Sequence, residues 1–492
     1  MLMRIQLNQL TSKLNQAVYM ALSRIWSAFV IIAIVVGAIQ FISGRQPQIF
    51  ATMVTGKKAD LPQGIKGDSF QVYKGSATTT DPVIVRGLDT SSRVTTKAGI
   101  TYKRDGNEIT GLRAQEINGV IATCWDAVDI CLKLIGILAL FIGFMNIAEK
   151  AGGIRLLSRI VGPFFSRLFP GVPKGHPAMG HMIMNYSANL LGLDNAATPF
   201  GLKAMESLQE LNPSKDTASD AQIMFLCLHA AGLNIIPISV IAIRASQHAS
   251  NPTDVFIPCM IVTFVGTITA MLVVSFKQKI NVLQPVIVVW VLAISAIIAA
   301  LVWYVSGLNA AGIQSFSSIL SNGLILVVFL LIIAGGVYKK INVFDAFIDG
   351  ARSGFDTAIR IIPYLVGILV AVSMLRTSGA FDVVINAIKS FFAMLGADTR
   401  FVEGLPTALI RPLSGGASRG MMVSTMSTYG PDSFASRLSG ILQGASDTTF
   451  YVIAVYFGSV NIKNTRYSIG AMLLADLVGI ITAILLAYLF FG

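Results

Sequence analysis

The sequence is poor in charge. Only 13% of its residues are Asp, Glu, Lys or Arg, about half the quarter usual in soluble domains. An ordinary soluble enzyme and a disordered chain are both excluded on that ground. Cysteine is scarce too: Cys124, Cys131, Cys227 and Cys259 form no C-x-x-C pair, which excludes a disulfide framework and a structural zinc site. The sequence has no P-loop, G-x-S-x-G elbow, zincin helix or Rossmann glycine pattern, so no catalytic residue, metal ligand or cofactor is nominated. Acidic residues are fewer than basic ones, 25 against 37, for a net charge of +12. On a soluble chain that excess would suggest nucleic acid. Here the basic residues stand just outside apolar runs, so lipid is the expected partner and nucleic acid is not.

What the chain does have is apolar length. It is 54% hydrophobic with a mean hydropathy of +0.70. A bilayer core needs about 20 apolar residues per helix. Runs at 25–42, 130–148, 221–243, 255–276, about 285–305, about 318–338, 361–375, 438–462 and 467–491 predict nine spans. Residues 45–118 differ: they are rich in Thr, Gly, Ser and Lys, and Pro82–Arg86 and Gly99–Lys103 look like strands around an Asp105-Gly106 turn. They predict a small β-rich insert outside the membrane. Lys277 and Lys279, Lys339 and Lys340, and Lys463 and Arg466 mark cytoplasmic loops, as does the basic stretch 150–174. The N-terminus is then inside and the C-terminus outside, in a bacterial cytoplasmic membrane.

Two stretches are neither polar enough for loops nor long enough to span. In the first, arms at about 177–191 and 197–208 flank Gly192-Leu-Asp-Asn195; in the second, Arg411-Pro-Leu-Ser-Gly-Gly416 breaks an apolar segment. Ten helical residues rise about 15 Å, half the hydrocarbon core. Re-entrant hairpins fit these lengths, and amphipathic surface helices with loops are the other reading. The order around Asp126, Met145 and Gly152 recurs around Asp356, Met374 and Gly379, offset by about 230 residues. Five crossings from one copy to the next would turn the copies upside down, the pattern of secondary transporters. The expected class is therefore an all-α polytopic membrane protein with two inverted repeats, each with a hairpin and a broken helix. Its parts are an anchor (1–44), the insert (45–118), a first repeat (119–278), two linking helices (279–348) and a second repeat (349–492).

Three stretches carry a family resemblance: Asn185-Tyr-Ser-Ala-Asn-Leu-Leu-Gly-Leu-Asp-Asn-Ala-Ala-Thr-Pro199, the segment Leu405–Gly420, and Gln443-Gly-Ala-Ser-Asp-Thr-Thr-Phe-Tyr451. Residues 119–275 resemble spore maturation protein A and residues 350–490 resemble spore maturation protein B, as in a fusion of the two. That resemblance implies nucleoside-recognition gate domains, shared with concentrative nucleoside transporters and the membrane part of the ferrous iron transporter. It implies a substrate site made by hairpin tips and broken helices. Where the nucleoside transporters have a glutamate at the first tip, this chain has Asn195.

The residues suited to bind a solute or ion lie in those same stretches. Asp447 stands in an otherwise apolar span, where an ionised group costs at least about 2.5–3.5 kcal/mol unless it is paired, hydrated or used. Gln443, Ser446, Thr448 and Thr449 are grouped with it, and Arg411 and Arg419 flank the second tip as its expected gating partners. In the first half, Pro237 should unwind the helix that carries His229 and Asn234. Asn185 and Asn189 share a helix face, and Asp194, Asn195 and Ser414 stand at the tips. Asp194 was paired in expectation with His229 or Lys203. Two functions are compatible with this pattern: a secondary transporter or channel for a small polar solute with a coupling ion, and a non-transporting factor that scaffolds envelope or spore assembly. A homo-oligomer is compatible with both. The basic loops make a direct prediction. In membrane vesicles of known sidedness, single cysteines near 65 and 311 react with an impermeant thiol reagent from outside and those near 278 and 340 do not; outside labelling at 278 breaks the nine-span topology.

Overall fold

The computed structural model describes residues 26–492 except 45, 57–69, 77, 79, 91–93, 96–99, 115–118, 192–193 and 235. The basic residues before the first span (Arg4, Lys13 and Arg24) and much of the insert lie outside the described residues. Among the described residues, six helices are long and apolar enough to cross a membrane. They are α4 (Val120–Lys150), α10 (Phe256–Gln278), α11 (Pro285–Ser306), α12 (Ala310–Tyr338), α13 (Val343–Thr377) and α19 (Ser468–Phe491). In α11 only 6% of the most apolar window is buried within the protein, and Leu292, Ile297 and Trp303 face outward. Water would not tolerate that surface; lipid does. The chain is an all-α polytopic membrane protein.

The three other apolar runs are shorter or broken. The first is α1 (Trp26–Ile42). The run at 221–243 divides into α8 (Asp220–Ala231) and α9 (Ile238–Ser246). Gly232 ends α8 in the left-handed region, φ +61°, and Pro237 has no N–H to carry the ladder onward. The run at 438–462 divides into α17 (Phe434–Gly444) and α18 (Thr449–Val452), which a π turn over Ile453–Phe457 continues. Both interruptions fall at the polar residues of the sequence pattern.

The two halves of the chain share an element order. In the first, α4 leads to α5 (Gly153–Leu168), the helix pair α6 (Pro177–Leu190) and α7 (Asp194–Glu210), broken α8–α9, and α10. In the second, α13 leads to α14 (Ala380–Met394), the pair α15 (Leu405–Ile410) and α16 (Gly415–Tyr429), broken α17–α18, and α19. Gly152 (φ +88°) and Gly379 (φ +72°) stand at the same turn in each copy, in a conformation that only glycine adopts freely.

By compactness the chain divides into two units: residues 29–126 with 370–383, and the remainder. In the smaller unit α2 (Ile49–Thr55) lays Ile49 and Met53 against Ala33, Leu375 and Ala380. The insert is a four-stranded antiparallel sheet in the order β1-β4-β3-β2, made of β1 (Phe70–Ser76), β2 (Val94–Thr95), β3 (Ile100–Asp105) and β4 (Glu108–Ala114). One expected strand is a helix: α3 spans Pro82–Thr90. Pro82 suits the first helical position, the Asp81 carboxylate accepts from the Val83 N–H at 2.8 Å, and Ile84 and Leu88, four apart on one face, pack with Ile109. The apolar string Val-Ile-Val was read with period two when the caps favoured the helical period.

In the larger unit α4 and α13 approach through glycine. A Cβ on Gly354 would stand 2.7 Å from the Ala139 backbone, and one on Gly350 would stand 2.6 Å from the Ile142 carbonyl oxygen. Small residues four apart let helices in lipid pack backbone to backbone. The same unit contains a buried charge network absent from the sequence expectations. Arg244, fully buried, reaches Asp254 at 2.9 Å and Asp432 at 3.4 Å. It also donates to the carbonyls of Asn251, Pro252 and Pro431. Arg437 meets Asp254 at 2.8 Å. Two guanidiniums and two carboxylates thus join α9 and the turn before α10 to Asp432 and the first turn of α17. The glycine contact predicts that Gly354→Leu, which forces the two helices apart, costs about 1–3 kcal/mol as overpacking does. A lower thermal midpoint of the purified protein checks it, and an unchanged midpoint refutes the close approach.

Candidate functional site

The two helix breaks meet. The Asp447 N–H donates to the Ala230 carbonyl at 2.8 Å. Gly232 makes room for this: a Cβ there would lie 3.1 Å from the Asp447 nitrogen. The carbonyl freed where α8 ends thus binds an amide freed where α17 ends, so two buried backbone groups satisfy each other. The Asp447 carboxylate also accepts from the Thr448 N–H at 2.6 Å.

Side chains cross at the same place. His229 Nε2 lies 3.7 Å from Asp447 Oδ2. On its other side, His229 Nδ1 lies 2.7 Å from Asn189 Nδ2 and 3.0 Å from Asn185 Oδ1. One neighbour is a donor and the other an acceptor, so Nδ1 has a partner in either tautomer. Asn185 also donates to the Ala197 carbonyl at 2.7 Å, tying α6 to α7. His229, from the first half of the chain, faces Asp447 of the second, and the contact is an ion pair only when the imidazole is protonated. Arg411 donates to the Ser446 carbonyl and, at 3.4 Å, to the Thr448 hydroxyl. The Phe450 N–H donates to the Pro412 carbonyl at 2.9 Å, fixing the break in the second helix pair to the break in its broken helix. Ser414 caps α16 by accepting from the Ala417 N–H.

These groups surround a cavity of about 660 Å³, in the size range of small-molecule sites. Of the nominated residues, Asn189, His229, Asn234, Ser414, Gln443, Ser446, Asp447 and Thr448 line it, with Arg411 and Arg419. The Asp447 side chain is 42% exposed against 5% for His229, so the carboxylate faces the open space and the imidazole stands behind it. Two nominated residues with described side chains sit otherwise. Asn185 is buried behind His229. Thr449 donates to Asp476 at 2.7 Å in the wall. Asp194 and Asn195 fall in the first turn of α7, but their side chains, like residues 192–193 of that tip, lie outside the described residues; the expected pairing of Asp194 and the approach of Asn195 to Ser414 fall with them.

The sequence reading missed Thr198, Ser239, Tyr364, Tyr451 and Tyr456, all in the lining. Thr198 and Tyr451 lie inside the resemblance stretches and were legible there; Tyr364 sits in a span with no polar signal around it. Among the described residues no group of three or more His, Cys, Asp or Glu could hold a metal ion.

Comparison with known proteins agrees with this division into halves. The gate family, described as nucleoside recognition, matches residues 131–247 and 358–463. Each match runs from a long first helix to the end of a broken one. Over 175 residues the chain is 43% identical to spore maturation protein B of Bacillus subtilis (strain 168), covering 35% of this chain and 97% of that protein. Over 160 residues it is 39% identical to spore maturation protein A of the same organism, covering 32% and 82%. No solved structure matches the chain. The cavity itself makes a prediction. In a variant whose native cysteines are serine, a cysteine at Asn234 reacts with a small charged thiol reagent. One at Ser439, fully buried and bonded to Thr407, stays inert. Equal protection of both would mean a closed wall where the structure has an opening.

Proposed function

Because the chain belongs to the spore maturation protein family, joining an A-like and a B-like half in one polypeptide, we propose that it is a non-enzymatic secondary transporter of a small polar solute across the bacterial cytoplasmic membrane. In this reading the two halves are inverted repeats, the helix pairs α6–α7 and α15–α16 are re-entrant hairpins, and the cavity lies near mid-membrane. The nucleoside-recognition description of the gate domains supports a nucleoside-like solute or an ion as cargo.

The observation that carries the proposal is the crossing of the two breaks at His229 and Asp447. A pure scaffold gains nothing from a carboxylate held open to a polar cavity in an apolar protein, where such a group is costly. A transporter does. Asp447 faces the solute, His229 faces Asp447, and Asn185 and Asn189 provide for either tautomer of His229, so a proton can be taken up or released without stranding a buried group. Rocking of one repeat against the other would break the Asp447–Ala230 contact and change the side from which the cavity is reached. The relatives, spore maturation proteins A and B, favour a second reading, a membrane factor in spore or envelope maturation, and transport could serve that role.

Asp447→Asn separates the two. It preserves size and hydrogen bonding while removing the charge. Purified protein is placed in liposomes with a pH-sensitive dye inside and challenged with uridine, alanine and succinate. Wild-type protein is expected to give solute-dependent proton movement. Asp447→Asn should elute as wild type on gel filtration and lose at least tenfold of that signal. An unchanged signal in the variant, or none in the wild type, overturns the transport reading.

A further inference from the structure

We propose that the cavity binds a small organic anion, and that Arg419 holds its carboxylate or phosphate group. This rests on the transport reading of the same cavity and names the class of its solute.

Among the described residues the cavity lining holds Arg411, Arg419 and Asp447. Arg411 is accounted for: it binds the Ser446 carbonyl and the Thr448 hydroxyl, and the further carboxylate in the wall, Asp476, interacts electrostatically with it. Arg419 is not accounted for. Among the described residues it has no ion-pair or hydrogen-bond partner, and its Nε is buried without an acceptor. A guanidinium donor withdrawn from water and left unbonded is costly. Five N–H groups in a planar fork match a carboxylate or phosphate in two parallel bonds.

The surroundings suit the same group. Arg419 lies one turn along α16 from Gly415, and Gly415 and Gly416, which open that helix, also line the cavity. The amide end of a helix favours a negative ligand; Gly415 packs closely against Thr448 and Arg411, and Gly416 against Tyr364. Tyr364, Tyr451 and Tyr456 in the lining offer aromatic faces to a carbon skeleton, which favours an organic anion over a bare inorganic one. The coupling proton is left to His229, which faces Asp447, while Arg419 holds the charge of the cargo.

The test is binding to the full-length protein in detergent, read as a shift of the thermal midpoint at constant ionic strength. The probes are acetate, succinate, benzoate, uridine monophosphate and neutral uridine. At least one anion is expected to raise the midpoint saturably. Its half-effect concentration should rise at least tenfold in Arg419→Gln and less in Arg419→Lys, which preserves the charge without the fork. Response to the carboxylates alone or to the nucleotide alone tells which oxyanion is the cargo. Response to uridine but to no anion, or to none of the five, overturns the assignment, as does an anion response that survives Arg419→Gln. If Arg419→Gln does not fold, the Arg419→Lys comparison decides: equal affinity overturns the proposal. Asp447→Asn is assayed alongside. Loss of proton movement there with no anion binding here leaves the transport reading intact and removes only the anion, whereas anion binding without proton movement in the wild type removes transport and leaves the binding site.

Discussion

A helix that stops inside an apolar medium leaves amides and carbonyls with nothing to bond, and each unbonded group costs several kcal/mol. This protein contains two such stops, after Ala231 and after Gly444. They are placed against each other so that the Asp447 amide answers the Ala230 carbonyl. Much of the site is consistent with that single requirement. Gly232 has no side chain because one would stand against the Asp447 nitrogen. The second helix pair also turns toward the crossing, where Pro412, which cannot donate, accepts from Phe450. The polar cavity is the space left where regular helix was given up.

The sequence was legible where a physical cost stood out against its background. Asp447 in an apolar span, Pro237 in another and the Pro-Leu-Ser-Gly-Gly break at 412–416 each violate the local pattern, and all mark the cavity wall. Gly152 and Gly379 were visible as a repeat and take up the same backbone turn. What could not be read was partnership across the chain. The approach of His229 to Asp447 depends on how two broken helices cross, which no local spacing shows. Local context misled at Pro82, where capping outweighed a β-branched run.

Arg244 is a different kind of omission. It sits in Ile-Ala-Ile-Arg within an apolar segment, and an ionised residue in such a run is a signal by the same rule that singled out Asp447. Its carboxylate partners are at 254 and 432, too far apart for spacing to suggest them. The structure gives it a packing role, with no opening to the cavity: it is fully buried and bonded on every side.

That network bears on the order in which the molecule is built. Arg244 and Asp254 belong to the first half and are already neutral as a pair, 2.9 Å apart. Arg437 and Asp432 belong to the second and form a weaker pair of their own at 3.9 Å. Neither half therefore has to enter the bilayer with a naked charge, and each can wait for the other. Carrying both halves on one chain replaces a search in two dimensions with a high local concentration. The four-membered network is complete only once residues 430–437 have been made.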